Sequence, residues 1–353
     1  MSLCNILKQN DPSVHLVFST DDRFLPGTLV SIGSVLDFGC PHRFFDIHVL
    51  DTGLSKFSLS ILRRLVDQYD NAKLAMHPVD LSLFKGANEM PVGGVATYAR
   101  FLVGRVLPSR IERILYLDTD ILAVRDVSKL YDVHLGQTIA AMGRDGYSEN
   151  LSGDCPFATP EETACFPYFN AGVILLNLAR WRREGLEETA LDLISKHGTC
   201  LQFHDQTVLN YLLRGRITVL DNWWNCRDTH VEKDNAIYHY ASGIKPWMAK
   251  HYREIDPLWW LYYDHRIAFL SPFKYRGWTQ SNAKILLKRL AHPIPSSLLH
   301  TLACHSGTSS LVHKVAASLL KFRDIHDMRN HDRFRAIQSQ ILALPCRRKD
   351  NRT

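Results

Sequence analysis

Along the first 180 residues, short β-branched and apolar runs alternate with segments of helical periodicity. That alternation predicts an α/β fold, a parallel sheet wrapped by helices. Strands are expected at Val14–Ser19 (VHLVFS), Phe44–Leu50, Ile114–Leu117 (ILYL), Ile139–Met142, Ala171–Leu176 (AGVILL), Ile217–Leu220 and Ile237–Tyr240. Helices are expected over Leu25–Phe38, from near Ser55 with apolar Leu59, Leu62, Leu65 and Val66 at 3/4 spacing, over Tyr98–Leu107 ahead of Pro108, and over Leu186–Lys196 and Asp205–Leu213. After about Pro257 the texture changes to helical segments rich in Lys, Arg and His, broken at Pro272, Pro293 and Pro295. A boundary near residue 265 is expected, with one domain over 1–265 and a small helical, basic region over 266–353.

Composition sharpens this picture at four points. With 353 residues and 46% hydrophobic content the chain can bury a full core. No apolar run reaches the roughly 18 residues of a spanning helix, and the first residues lack the pattern of a secretory signal, so a cytoplasmic protein is expected. The eight cysteines include no C-x-x-C pair and no zinc-like spacing, and read as free thiols. Residues 266–353 hold 16 Lys+Arg against 4 Asp+Glu, whereas the rest of the chain is net acidic. The tail therefore predicts a polyanionic partner such as an anionic membrane surface, with nucleic acid disfavoured. Within it, Asn282–Leu290 and Leu311–Phe322 each interleave apolar residues with Lys or Arg in the manner of helices lying in a headgroup layer. The competing reading is a tail that docks on the catalytic domain.

In open α/β sheets ligands gather at the carboxyl ends of strands, and Asp21-Asp22 and Asp118-Thr119-Asp120 both fall there. Aspartates at i and i+2 on a turning backbone can converge on one hard cation and leave positions for diphosphate oxygens. D-x-D alone is a weak pattern that loop-capping aspartates also produce. His239, at the end of a strand in HYASGIKPW, could complete an Asp/Asp/His set that suits manganese better than magnesium; alone it also reads as a core histidine. Lys245 could place its ammonium on a diphosphate. Asn170, Ala171 and Gly172 open an apolar strand with residues small enough for a ligand to approach, or form a plain turn. In His204-Asp205-Gln206 the aspartate is either a site residue or a helix cap.

Taken in order, FSTDD, ATYARFLVGRVLP, ILYLDTDIL, FNAGVILLNLARWR, HDQTVLN and HYASGIKPW resemble the family 8 glycosyltransferases, especially the bacterial lipopolysaccharide glucosyl- and galactosyltransferases. The resemblance runs from about Val14 to Trp247. It implies a GT-A nucleotide-binding domain with a mixed, mostly parallel sheet. It also implies retaining transfer of a hexose from UDP-glucose or UDP-galactose to a saccharide acceptor, a lipid-linked oligosaccharide of the lipopolysaccharide core. Asp118, Asp120 and His239 match the ligands of Mn²⁺, with Mg²⁺ as the substitute. Asp21 and Phe24 match residues at the nucleotide base. Arg100 and Lys245 match contacts to the sugar nucleotide, and Asn170, Ala171, Asp205, Gln206 and Asp145 match residues around the transferred sugar. Ser242, where the family has glycine, and Arg23 after the first acidic pair depart from the pattern. Gln206 falls where a double displacement would need a carboxylate, so a front-face route is expected. A self-glucosylating polysaccharide initiator and a non-catalytic nucleotide-sugar or phosphoglycan binding module are the alternatives. The expected location is the inner face of the cytoplasmic membrane.

Overall fold

Three seven-residue strands, β1 (Val14–Thr20), β2 (Phe45–Asp51) and β3 (Ala72–Pro78), pair in parallel. β1 and β2 are buried at nearly every position, as strands covered on both faces must be. The crossovers are α1 (Leu25–Phe38) and α2 (Lys56–Val66). α1 begins with Pro26 in its first turn, and Ser55 caps α2 by accepting from Ser58 N. The structure, a computed structural model, describes residues 13–88, 94–146, 148–227, 235–241, 243, 245–247, 255–270 and 332–345.

Four further strands complete a seven-stranded sheet in the order β3-β2-β1-β4-β7-β6-β8. They are β4 (Arg113–Leu117), β6 (Ala140–Arg144), β7 (Phe169–Asn177) and β8 (Ile217–Leu220). β7 runs antiparallel to β4 and β6 and the remaining pairs are parallel, so the sheet is mixed and mostly parallel as expected. β5 (Ile121–Ala123) leaves β4 through Asp118-Thr119-Asp120 and pairs antiparallel with β9 (Ile237–His239). The hydroxyls of Ser31 and Ser34 on α1 close the other edge of β5. Ser31 Oγ donates to Ile121 O at 2.9 Å, and Ser34 Oγ accepts from Ala123 N at 3.0 Å.

α3 (Leu178–Arg183), α4 (Leu186–His197) and α5 (His204–Leu213) pack over the second half of the sheet. Asn210 ties α5 to β7, accepting from Phe169 N and donating to Phe169 O, both at 2.8 Å.

Three local expectations are corrected. The segment taken as a helix over Tyr98–Leu107 winds as a 3₁₀ helix over Val95–Leu102 and is α-helical only over Val103–Val106. The strand expected from Ala171 begins at Phe169, so Asn170 and Ala171 are strand residues and not a turn. β3 and β5 were not anticipated.

The chain divides into two compact units. The first comprises residues up to Arg227 together with Asp234–Gly243, and the second Asp228–Lys233 and Ile244 onward. In the second, α6 (Asp256–Tyr262) continues into a π-helical turn over Tyr263–Ile267. Against it lies α7 (Asp332–Ala343), joined by His265 Nε2 to Leu344 O at 3.0 Å and by Arg266 donating to Pro345 O. Trp259 packs between Trp247 and Tyr263, with ring centroids 5.6 and 5.3 Å away. The stretches Asn282–Leu290 and Leu311–Phe322 lie outside the described residues. Among those described, no helix is long and apolar enough to cross a membrane.

Candidate active site

The turn between β4 and β5 and the end of β9 meet because their backbones are stitched together. Asp118 N donates to Gly172 O and Tyr240 N to Asp120 O, both at 2.8 Å. The side chains of Asp118, Asp120 and His239 consequently converge, with one ligand atom from each lying within 4.8 Å of the others. His239 Nε2 is 3.2 Å from Asp120 Oδ1 and 3.6 Å from Asp118 Oδ2. Burial alone would lower the pKa of His239, but the two carboxylates outweigh it and the pKa is raised. A cation at this point is favoured by the same field.

The donor set fits a divalent metal. Two carboxylate oxygens and one imidazole nitrogen are ligand types that a divalent cation takes. His239 reaches the position only because residue 172 is glycine: a Cβ there would lie 2.1 Å from His239 Cε1.

Arg100 locks the neighbouring carboxylates. Its guanidinium is buried, donates to Asp118 Oδ1 at 2.9 Å, sits 3.0 Å from Asp205 Oδ2, bonds Ala171 O and lies 4.6 Å from the Tyr116 ring centroid. Burial would lower its pKa, yet Asp118 and Asp205 raise it, so the charge is retained. With Oδ1 held by Arg100, Oδ2 is the oxygen Asp118 turns toward His239. Asp205 does not cap α5; it is buried in the first turn, and burial pushes its carboxyl up against the opposing pull of Arg100.

Gln206, next along α5, reaches the start of β7. Its Oε1 accepts from Asn170 Nδ2 at 3.0 Å and Ala171 N at 3.1 Å, and its Nε2 donates to Asp145 Oδ2 at 3.1 Å. Asp145 also receives Arg227 Nη1 at 2.9 Å. Asn170, Ala171, Asp145, Asp205 and Gln206 thus form one cluster with Arg100, adjoining the Asp118, Asp120 and His239 trio.

At the end of β1, which neighbours β4 and runs parallel to it, Asp21 leaves the same edge of the sheet. Its Oδ1 accepts from Arg23 N and Phe24 N, and its Oδ2 takes the guanidinium of Arg23 at 2.9 and 2.6 Å. Phe24, half-buried, closes this turn. Lys245 belongs to the second unit and is buried.

Sequence reasoning missed three participants. Asn225 Oδ1, an acceptor, lies 2.8 Å from His239 Nδ1, Arg227 pairs with Asp145, and His204 holds φ at 49° immediately before Asp205. A left-handed non-glycine residue costs about 1–2 kcal/mol. His204 Nδ1, 3.1 Å from Asn88 O, helps to hold it, as does Asp154, which accepts from Gln202 N and Phe203 N. Asn225 and Arg227 lie outside every motif of the sequence, and His204 lies inside HDQTVLN, where only its backbone conformation went unread.

Similar proteins share this arrangement's frame. The chain is 26% identical over 263 residues to glycosyltransferase GlyF of Streptococcus pneumoniae, a match that covers 70% of this chain but only 61% of that relative. It is 26% identical over 248 residues to the lipopolysaccharide 1,3-galactosyltransferase of Salmonella typhimurium, covering 66% of this chain and 72% of the relative. Among solved structures, the galactosyltransferase LgtC in complex with donor and acceptor sugar analogs superposes with a TM-score of 0.58 at 25% identity, covering 67% of this chain and 90% of that one. The fold is of the GT-A type. The sequence profile described as Glycosyl transferase family 8 matches residues 15–251, from β1 through the strand that carries His239, and the chain belongs to that family.

Proposed function

We propose that the chain is a retaining hexosyltransferase that moves glucose or galactose from a UDP-sugar to a saccharide acceptor of the lipopolysaccharide core. The observation that carries the reading is the convergence of Asp118, Asp120 and His239 beside a cluster of polar side chains at the carboxyl edge of the sheet. Mn²⁺ held there would neutralise the departing diphosphate. The acceptor class rests on what the Salmonella relative acts on, and the membrane setting rests on the basic tail.

The residues divide the work. Asp118, Asp120 and His239 are the ligands, and Arg100 orients Asp118 and Asp205. Asn170, Ala171, Asp145, Asp205 and Gln206 face the transferred hexose; Asp21 and Phe24 serve the base, and Lys245 the diphosphate. Both lone pairs of the Gln206 amide oxygen are engaged, so it is a poor nucleophile. Asp145 and Asp205 are held in pairs with Arg227 and Arg100. These restraints favour a front-face reaction in which the departing phosphate oxygen takes the acceptor's proton, with rate drawn from positioning.

Hydrolysis of UDP-glucose and UDP-galactose should be measured without acceptor in Mn²⁺, Mg²⁺ and EDTA. Hydrolysis of one donor with Mn²⁺ preferred is expected. Asp120→Ala should lower it about a thousandfold, since about 4 kcal/mol of charge stabilisation is three decades in rate. Equal rates in EDTA would refute the metal, a mass gain on the chain itself would indicate self-glucosylation, and donor bound but never turned over would indicate a binding module.

A further inference from the structure

His239 meets its surroundings through two nitrogens, and the sequence of hydrogen bonds behind it determines which one carries the proton. The chain begins at two backbone donors whose direction is not in question. Gly172 N–H can only donate, so the atom 3.0 Å away on Asn170 is its carbonyl oxygen. Ala171 N–H likewise fixes the oxygen of Gln206. Asn170 then turns its NH₂ to Gln206 Oε1, and Gln206 turns its own to the carboxylate of Asp145, which can only accept while ionised. Asn225 faces Asn170 Oδ1 at 2.9 Å and must present its NH₂ there. Its remaining oxygen therefore faces His239 Nδ1 at 2.8 Å. Every amide along the path has one allowed orientation, so no flip is free.

We infer that Asn225 is a positioning residue that keeps the proton of His239 on Nδ1 and leaves the Nε2 lone pair aimed between Asp118 and Asp120. The inference deepens the metal-site reading and rests on it for its second arm. Without Asn225 the two carboxylates beside Nε2 would draw the imidazole proton to that nitrogen, where it would block a metal. A partner behind a ligating histidine is worth about 10–100-fold in metal affinity. The same path reaches Gln206 and Asp145, so the metal end and the sugar end of the site share one set of amide orientations. Room for Asn225 comes from Gly143: a Cβ there would lie 3.3 Å from Asn225 Cβ, and the β6–β7 register shifts at this position.

Two variants separate the roles. Asn225→Ala removes both bonds. Asn225→Asp still accepts from Nδ1–H but cannot donate to Asn170 Oδ1. The ring ¹⁵N signals of His239, assigned by their loss in His239→Gln, should be recorded on metal-free protein as pH is raised until the imidazolium signal is gone, because the two carboxylates hold its pKa above the ordinary imidazole range. Mn²⁺ affinity of the same proteins should be measured from the free-ion electron paramagnetic resonance signal. The native chain and Asn225→Asp are expected to show Nδ1–H, and Asn225→Ala to show Nε2–H. Mn²⁺ affinity should fall about 10–100-fold in Asn225→Ala and stay within a few-fold in Asn225→Asp, whose donor hydrolysis nonetheless drops because Asn170 and Gln206 lose their orientation. Nε2–H in the native chain would overturn the inference, as would equal Mn²⁺ affinity in Asn225→Ala. Equal loss in both variants would reduce Asn225 to a structural role and also overturn it. A native chain that binds no Mn²⁺ yet shows Nδ1–H would instead remove the metal reading and leave the tautomer assignment standing.

Discussion

Gly172 has no side chain because the ring of His239 occupies the space one would need. A methyl group at this position would lie 2.1 Å from Cε1, 2.7 Å from Nδ1 and 2.8 Å from Nε2, and the ring has no flexible end to give way. Gly172 also supplies the carbonyl that receives Asp118 N, so the backbone cannot retreat without moving a second ligand. Gly172→Ala should therefore displace His239, at a cost of about 1–3 kcal/mol in stability for overpacking. Donor hydrolysis should fall at least as far as in His239→Ala. Thermal denaturation and Mn²⁺ titration of the variant check both parts, and a variant with native affinity would show that the ring has another place to go. At this scale the sequence was informative wherever chemistry is concentrated in a short segment: Asp118, Asp120 and His239 stand in motifs at strand ends, and Gln206 in one at the start of α5. It was silent on Asn225 and Arg227, because an amide or guanidinium acquires meaning here only from a hydrogen-bond path that crosses from β9 to α5.

Among the elements, β1, β2 and β3 carry a row of three histidines across the sheet. His48 Nε2 is 3.2 Å from His15 Nδ1, and His48 Nδ1 is 3.1 Å from His77 Nε2. Asp46 stands 3.3 Å from His15 and is held by Lys73 at 2.8 Å. Burial first, then the neighbouring imidazoles of His15 and His77, push the pKa of His48 down from 6.5 to about 4, while Asp46 opposes and Lys73 assists. Because the folded pKa is depressed, this contribution to stability is full above pH 6.5 and is lost as pH falls through about 4, where the unfolded chain binds a proton that the folded one refuses. The ceiling is about 3 kcal/mol, the free energy that separates a pKa of 6.5 from one of about 4. Urea denaturation between pH 7 and 4.5 should show this slope, and His48→Gln, which keeps a donor and an acceptor but does not titrate, should flatten it. An unchanged slope would place the acid sensitivity elsewhere. The strands legible in the sequence were those with apolar or β-branched runs, β1, β2, β4, β6, β7, β8 and β9, whether almost wholly buried, as β7 is, or largely not, as β8 is. β3 sits at the sheet edge and is only partly buried, so its polar–apolar mixture AKLAMHP gave no run to recognise. β5 is three residues long, and the 3₁₀ winding of Val95–Leu102 keeps the apolar spacing of a helix while changing its pitch.

For the whole molecule, the uneven charge along the sequence is the feature that the candidate site does not use. Residues 266–353 carry 16 Lys+Arg and 4 Asp+Glu, a balance of +12, whereas the chain as a whole carries only +6. The remainder is therefore net negative and gains nothing from an anionic surface. A tail with this excess does, at about 1 kcal/mol for each basic residue brought near the headgroups. Truncation is a poor test, because α7 packs on α6, is joined through His265 and Arg266 of the π-helical turn that follows, and has Ile337 and Ile341 buried. Removing it would bare apolar surface and favour aggregation. The intact chain should instead be sedimented with vesicles containing anionic lipid and with vesicles of zwitterionic lipid alone. We expect binding to the anionic vesicles at low salt, weakening steeply as salt shortens the screening length from about 10 Å at 0.1 M to about 3 Å at 1 M. Replacing Lys284, Lys288 and Arg289 by Glu lowers the charge of one amphipathic stretch by six without touching any residue of the site. The triple variant should lose the vesicles and keep donor hydrolysis. If it binds as well as the native chain, or if the native chain ignores anionic vesicles at low salt, the tail serves the fold and not a membrane.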